Sequence, residues 1–188
     1  MTESILIIVV HQLVFQGMFF VKNFSLRRRL GKPIRGSNIE ASVFIGFSVI
    51  FLGLTFVEAF RGAGEMGPLS TWDSAAFLLG IILMSASVVV AWASLRDLGD
   101  SWRVGVIEEQ QTTLIETGIY RFTRNPYFVA YLILFAAYTV FLQSLLLLIL
   151  SAVGFGLIHM LVRKEETYLA TQHGETYLRY KNNVPRYL

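Results

Sequence analysis

The fold is decided by residues 124–166, RNPYFVAYLILFAAYTVFLQSLLLLILSAVGFGLIHMLVRKEE, in which two charged clusters enclose an apolar run. None of the 38 residues between Arg124 and Arg163 is Asp, Glu, Lys or Arg. As one straight helix they would reach roughly 57 Å at about 1.5 Å per residue, whereas a bilayer core is only about 30 Å thick. The run therefore predicts a hairpin of two membrane-spanning helices, which returns the second cluster to the surface where the first one lies.

The composition of the whole chain agrees with an integral membrane protein. Of its 188 residues, 54% are hydrophobic and only 15% are charged, against roughly 25% charged residues in soluble domains. The absence of cysteine excludes disulfides and cysteine-based metal sites or nucleophiles. Three scattered histidines argue against a zinc site, and a net charge of +3 does not indicate a nucleic-acid surface. We expect one domain, residues 1–188, with three spans in 1–95 and the catalytic part in 96–188.

Five spans are predicted, which makes the fold class all-α. They are residues 5–21, 41–60, 74–95, 127–142 and 145–162, with Gln143-Ser144 as the turn between the last two. Lys and Arg concentrate in the first loop, the third loop and the tail, while the remaining loops hold only Arg61. By the positive-inside rule, this distribution predicts an external N-terminus and a cytosolic C-terminus, with both clusters of the hairpin in the cytosol.

The third loop, residues 96–125, is long for a simple connection, and long ordered loops tend to be functional. Its Gly105 and Gly118 permit close backbone approach. Tyr120 and Phe122 have flat rings on which a heterocycle can stack. The loop is interpreted either as part of a ligand site or, more simply, as a packed amphipathic cap on the bundle.

The two charged clusters each have a structural and a functional interpretation. Asn125 and Pro126 predict an N-cap and a first-turn proline, and the free amides of a helix start also suit an anionic group. Arg124 either adds a positive charge there or anchors the helix at the membrane surface. Glu165 and Glu166 follow the last span, where carboxylates are costly unless paired. They form a solvated helix face or hold the ammonium or ribose hydroxyls of a nucleotide-like cofactor.

At these residues the chain resembles the isoprenylcysteine carboxyl methyltransferases, within the wider group of membrane methyltransferases that includes phospholipid N-methyltransferases. Three motifs carry the resemblance: TTLIETGIYRFTRNPYFVAY at 112–131, the pair Glu165-Glu166, and HGETYLRYKNNVP at 173–185. Their order and spacing and the intervening hairpin agree with the family. Asn125 stands where the family usually has His, which argues against proton transfer at this position, while Phe128 replaces Tyr and Ala130 replaces Gly.

The resemblance implies S-adenosylmethionine as cofactor, held on the cytosolic side by the third loop and the C-terminal helix. By matching position, the implied contacts are Val104, Gly105, Thr113, Leu114, Ile115, Tyr120, Asn125, Pro126, Tyr127, Phe128 and Glu165. The implied reaction methylates the carboxylate of a lipophilic substrate that enters from the bilayer, a prenylcysteine of a protein or an analogue, without metal or nucleic acid. Candidates for orienting that carboxylate are Arg124, Arg163 and Arg103.

Two other functions remain open. A phospholipid N-methyltransferase would use the same cofactor site but needs a base to remove the ammonium proton. The other alternative is a non-catalytic bundle or a membrane reductase related by fold. A reductase would need a nicotinamide site, and the sequence has no Gly-x-Gly-x-x-Gly fingerprint.

Overall fold

A computed structural model describes residues 2–31, 39–62, 73–103 and 113–187, which are helical apart from short connections. The five α-helices are α1 (Thr2–Leu30), α2 (Ile39–Arg61), α3 (Asp73–Leu98), α4 (Pro126–Leu142) and α5 (Leu145–Asn183). Single 3-10 turns lie at Gly99–Ser101 and Gly118–Arg121. No strand occurs in the described ranges, and the all-α prediction is confirmed.

Within the described ranges, four helices are long and apolar enough to cross a membrane, namely α1, α2, α3 and α5. Only 22–28% of their most apolar segments is buried within the protein, so most of that surface faces outward, as expected of helices that contact lipid. The fourth helix is shorter, with 17 residues, yet twelve of them are buried, so α4 forms the centre of the bundle. The fifth span and the orientation in the membrane stay predictions.

Two glycines bring neighbouring helices close to α4. A Cβ at Gly80 of α3 would lie 2.7 Å from the Cβ of Phe141, and a Cβ at Gly154 of α5 would lie 2.7 Å from the ring of Phe135. Small residues at helix crossings permit the close packing that holds helices together in lipid. Gly80 and Gly154 therefore mark the positions at which α3 and α5 pack closely against α4.

The hairpin turn forms at the predicted pair. Gln143 adopts a left-handed conformation with φ 48° after the last residue of α4. The hydroxyl oxygen of Ser144 then caps α5 by accepting the amide hydrogen of Leu147 at 3.3 Å, and the same hydroxyl donates to the Glu58 carboxylate of α2. The turn thus ends α4, starts α5 and ties both to α2.

The last helix continues beyond the membrane and then folds back. Its apolar, membrane-spanning part ends at Val162, but α5 extends to Asn183 with a break in helical geometry at Gly174 (φ 53°, ψ −131°). In a straight helix, residues 166 and 186 would lie roughly 30 Å apart. Instead, the Arg186 guanidinium lies 2.8 Å from the Glu166 carboxylate. The chain after Gly174 therefore packs against the end of the bundle.

Candidate active site

A cavity opens where α4 begins and the apolar part of α5 ends. Its empty volume is about 1440 Å³, including open space at its mouth. Nine of the residues implied as cofactor contacts line it: Thr113, Leu114, Ile115, Tyr120, Asn125, Pro126, Tyr127, Phe128 and Glu165. The other two, Val104 and Gly105, lie outside the described residues. Two sequence segments separated by the hairpin thus form one cavity wall.

The hairpin brings the two charged clusters into direct contact. The Arg124 Nη2 lies 2.8 Å from the Glu166 carboxylate, and these side chains are only 7% and 4% exposed. The Arg124 Nη1 also donates to the backbone carbonyls of Lys181 at 2.6 Å and Val184 at 2.7 Å. Arg124 therefore joins the start of α4 to both α5 and the folded-back tail.

Asn125 occupies the predicted N-cap position, with Pro126 in the first turn of α4. Its side chain does not cap the helix, so that part of the expectation is wrong. The Asn125 Nδ2 instead donates to the backbone carbonyl of Arg186 at 3.1 Å and lies 3.5 Å from the Glu166 carboxylate. The tail reaches this amide because the chain bends at Gly174, so Asn125 fixes the tail against the cavity.

The three arginines that are candidates for orienting the substrate carboxylate have different surroundings in the structure. The guanidinium of Arg124 is engaged by Glu166 and the tail carbonyls. Arg163 is exposed and does not line the cavity. Arg103 lines the cavity, and its guanidinium donates to the carbonyls of residues 100 and 102. Of the three, Arg103 is best placed to face a ligand, and its role stays a prediction.

The adjacent acids Glu165 and Glu166 have opposite surroundings. Burial raises the pKa of Glu166, but its bonds to the guanidinium groups of Arg186 and Arg124 outweigh this and hold the pKa below its ordinary value. Glu165 lines the cavity, and within the described ranges no group donates a hydrogen bond to its carboxylate. Burial, with a smaller contribution from the charge of Glu166, raises the pKa of Glu165 to about 7. Glu165 can therefore receive a cation, whereas Glu166 holds the structure together.

The tail supplies a buried hydroxyl that sequence reasoning missed. Tyr177 is 1% exposed and lines the cavity. Its hydroxyl has no hydrogen-bond partner among the described residues, and an unpaired buried polar group costs about 1–3 kcal/mol. The only sequence signal for Tyr177 is its place in the third motif, three residues after the bend at Gly174.

The tail also fixes the position of Tyr120, an aromatic residue in the cavity wall. The Tyr180 hydroxyl donates to the backbone carbonyl of Tyr120 at 2.5 Å, and the Tyr120 hydroxyl lies 3.0 Å from the Ser94 hydroxyl on α3. Close approach at Gly118, with φ +63°, makes this possible, because a Cβ there would collide with the Asp97 carboxylate. The flat ring of Tyr120 is thus held from both sides.

A second wall comes from α2, and no motif in the sequence indicates that this helix borders the site. The residues that α2 contributes are Glu40, Ala41, Phe44 and Ile45, and α5 adds Leu161 and Lys164. Most of these side chains are apolar, so the cavity is polar on the tail side and apolar on the α2 side. The first two spans carry little of the family resemblance, and their apolar residues do not indicate which face borders a site.

Residues 75–176 match the phospholipid methyltransferase family. This match covers more than half of the chain, from the start of α3 to just beyond Gly174. The chain belongs to the phospholipid methyltransferase family. Membership in this family implies a membrane methyltransferase with S-adenosylmethionine as methyl donor. No curated protein matches the chain.

The family match includes most of the cavity but not all of it. In this phospholipid methyltransferase family member, the matched region holds the third loop, α4 and the acidic pair of α5. The wall from α2 and the tail residues Tyr177 and Tyr180 lie outside the match. The match names the wider group of membrane methyltransferases, within which the isoprenylcysteine enzymes are one narrower possibility.

Proposed function

We propose that this protein transfers the methyl group of S-adenosylmethionine to the carboxylate of a lipophilic acceptor such as a prenylcysteine. The observation that carries the proposal is the single cavity in which nine implied cofactor contacts meet an apolar wall from α2 and α5. When bound, the cofactor supplies a methyl group activated by a positively charged sulfur. The chain's own residues then have to bind the cofactor and the acceptor, align them with each other and exclude water.

The polar side of the cavity fits this cofactor. Glu165 offers a carboxylate to the ammonium group, and the Tyr177 hydroxyl offers a hydrogen-bond donor or acceptor to the ribose or the carboxylate. The rings of Tyr120, Tyr127 and Phe128 supply flat surfaces for the adenine. A cationic, hydroxyl-rich and partly aromatic ligand matches each of these groups.

The apolar side fits a lipid acceptor. Phe44, Ile45 and Leu161 form a wall along which an apolar chain can lie. A carboxylate is already ionised at neutral pH, so the reaction needs alignment and exclusion of water rather than a base. Arg103 is the arginine best placed to orient the acceptor carboxylate. This chemistry is consistent with an Asn at position 125.

One observation favours phospholipid N-methylation as a second candidate. A carboxyl group with a pKa of about 7, as burial gives Glu165, is suited to take a proton from an ammonium group. The two acceptors are separated by assaying methyl transfer to N-acetyl-S-farnesylcysteine and to phosphatidylethanolamine in nanodiscs. Transfer only to the phospholipid would replace the carboxylate proposal with the amine one.

Cofactor binding is tested by isothermal titration of the purified protein with S-adenosylhomocysteine. We expect saturable binding to folded protein, because the polar wall of the cavity matches the groups that this compound shares with the cofactor. The Tyr177→Phe variant removes only the hydroxyl and should weaken binding severalfold. Absence of binding to the wild type, with the melting transition intact, would sink the proposal.

The proposed topology has five spans, with α4 as the fourth, an external N-terminus and a cytosolic cavity. An odd number of spans places the two termini on opposite sides. Because the chain has no cysteine, single cysteines at Glu3 and Arg179 report the two sides directly. We expect a membrane-impermeant maleimide to label Glu3→Cys but not Arg179→Cys in intact cells, and equal labelling of both would contradict the topology.

A further inference from the structure

An ion pair joins α2 to α5 in the wall of the cavity. The Lys164 Nζ lies 2.7 Å from the Glu40 Oε1, and both side chains line the cavity. They are 53% and 38% exposed, so the pair can be reached from outside. Glu40 is in the first turn of α2, and Lys164 lies two residues beyond the apolar part of α5. The pair therefore forms a polar part of the cavity wall that solvent can reach.

The contact shows that the Lys164 ammonium can hold a carboxylate in the cavity wall. Glu40 is an imperfect occupant of that position, because its Oε2 is buried and has no hydrogen-bond partner among the described residues. A buried acceptor left unpaired is destabilising. When the carboxylate of a ligand takes the place of Glu40 beside Lys164, the Glu40 side chain leaves a position in which its Oε2 has no hydrogen-bond partner among the described residues.

Below the ion pair, the wall turns apolar in the direction of the membrane core. Phe44 follows Glu40 by one helical turn, and Leu161 precedes Lys164 by nearly one turn, which puts each on the same helix face as its charged neighbour. Phe44, Leu161 and the neighbouring Ile45 all line the cavity. A ligand with a carboxylate at one end and an apolar chain at the other matches this sequence of surfaces.

We propose that Lys164 binds the carboxylate of the lipid acceptor and that Glu40 occupies this position until the acceptor displaces it, an inference that rests on the carboxylate methylation proposed above. Lys164 and Glu165 are consecutive residues of α5, so the acceptor anion and the cofactor cation are held by adjacent positions of one helix. The ion pair then makes the site specific for anionic head groups, because only an anionic group can replace Glu40 as the partner of the Lys164 ammonium.

The two members of the pair should change acceptor recognition in opposite directions. With N-acetyl-S-farnesylcysteine as acceptor, Lys164→Gln should raise KM about tenfold or more, because a charged hydrogen bond is lost. Glu40→Gln should lower KM severalfold, because the internal competitor loses its charge. Affinity for S-adenosylhomocysteine should stay unchanged in both variants. Arg179→Gln, which removes an exposed cation of α5 outside the cavity, is the matched control.

A purely structural ion pair predicts a different outcome. Both variants would then lower the melting temperature and raise KM together, which overturns the inference. The inference would also be overturned if phosphatidylethanolamine were the only substrate accepted and both variants lost methyl transfer to it to a similar extent. That result would indicate a site for a zwitterionic head group. If the wild type binds S-adenosylhomocysteine but neither methylates nor binds the farnesylcysteine analogue, the inference fails while cofactor binding stands.

Discussion

Glu165→Gln should weaken S-adenosylhomocysteine binding by roughly 10–100-fold, since a hydrogen bond to a charged group contributes about 1.5–3 kcal/mol. The same variant should make the free protein more stable at pH 8. Burial raises the pKa of Glu165 to about 7, above its ordinary value, so the folded protein disfavours the charged carboxylate. The free energy of unfolding is therefore lower above pH 7, where this carboxylate is ionised. Isothermal titration and thermal unfolding in the same detergent measure the two effects.

The pH dependence gives a second signature of Glu165. Binding should tighten from pH 6 to pH 8 in the wild type as Glu165 ionises, and this dependence should be reduced in Glu165→Gln. Glu175→Gln, which alters an exposed carboxylate of the same helix, should behave like the wild type. Unchanged affinity in Glu165→Gln would remove this residue from the cofactor site.

Arg124→Met should destabilise the protein by about 3–5 kcal/mol, the usual loss when one partner of a buried ion pair is removed. The change leaves Arg186 as the guanidinium partner of Glu166 and removes the hydrogen bonds that Arg124 donates to the carbonyls of Lys181 and Val184. We expect the tail to detach and the cofactor affinity to fall with it. Thermal unfolding and the rate of proteolysis after Lys181 report these effects.

A double-mutant cycle distinguishes this ion pair from a general packing effect. Arg124→Met combined with Glu166→Met should cost less than the sum of the two single changes, because the second substitution removes the buried carboxylate that has lost one of its two guanidinium partners. Arg121→Met alters an exposed arginine three residues before Arg124 and should change the melting temperature little. Additive costs in the double variant would contradict the proposed coupling between residues 124 and 166.

The sequence predicted the hairpin and one wall of the cavity because both depend on short-range information. The uncharged run between Arg124 and Arg163 exceeds one membrane thickness, and the turn residues 143–144 are its only adjacent polar pair. The motif at 112–131 and Glu165 then located nine residues that do line one cavity. Length, charge and motif order suffice for these predictions.

The sequence could not predict what the tail does. A single glycine, Gly174, redirects the chain, and nothing local says that the redirected segment will reach Arg124. From the sequence alone Arg124 is interpreted as a ligand group or a membrane anchor, and its bonds to the tail carbonyls become visible only in the structure. The wall from α2 was missed for a related reason, because an apolar helix in lipid shows no contrast between the face that meets lipid and the face that borders a cavity.

The backbone of the tail sets a time order on the making of this protein. The Pro185 carbonyl accepts the amide hydrogen of Arg124 at 3.0 Å, so this hydrogen bond at the cavity depends on a residue that is synthesised after helices α1 to α5. Chains fold from the N-terminus as they leave the ribosome, and the helices can therefore insert before the catalytic pocket exists. A chain that stops after residue 170 would therefore keep the helices of the bundle and lack the tail bonds to Arg124 and Asn125 beside the cavity.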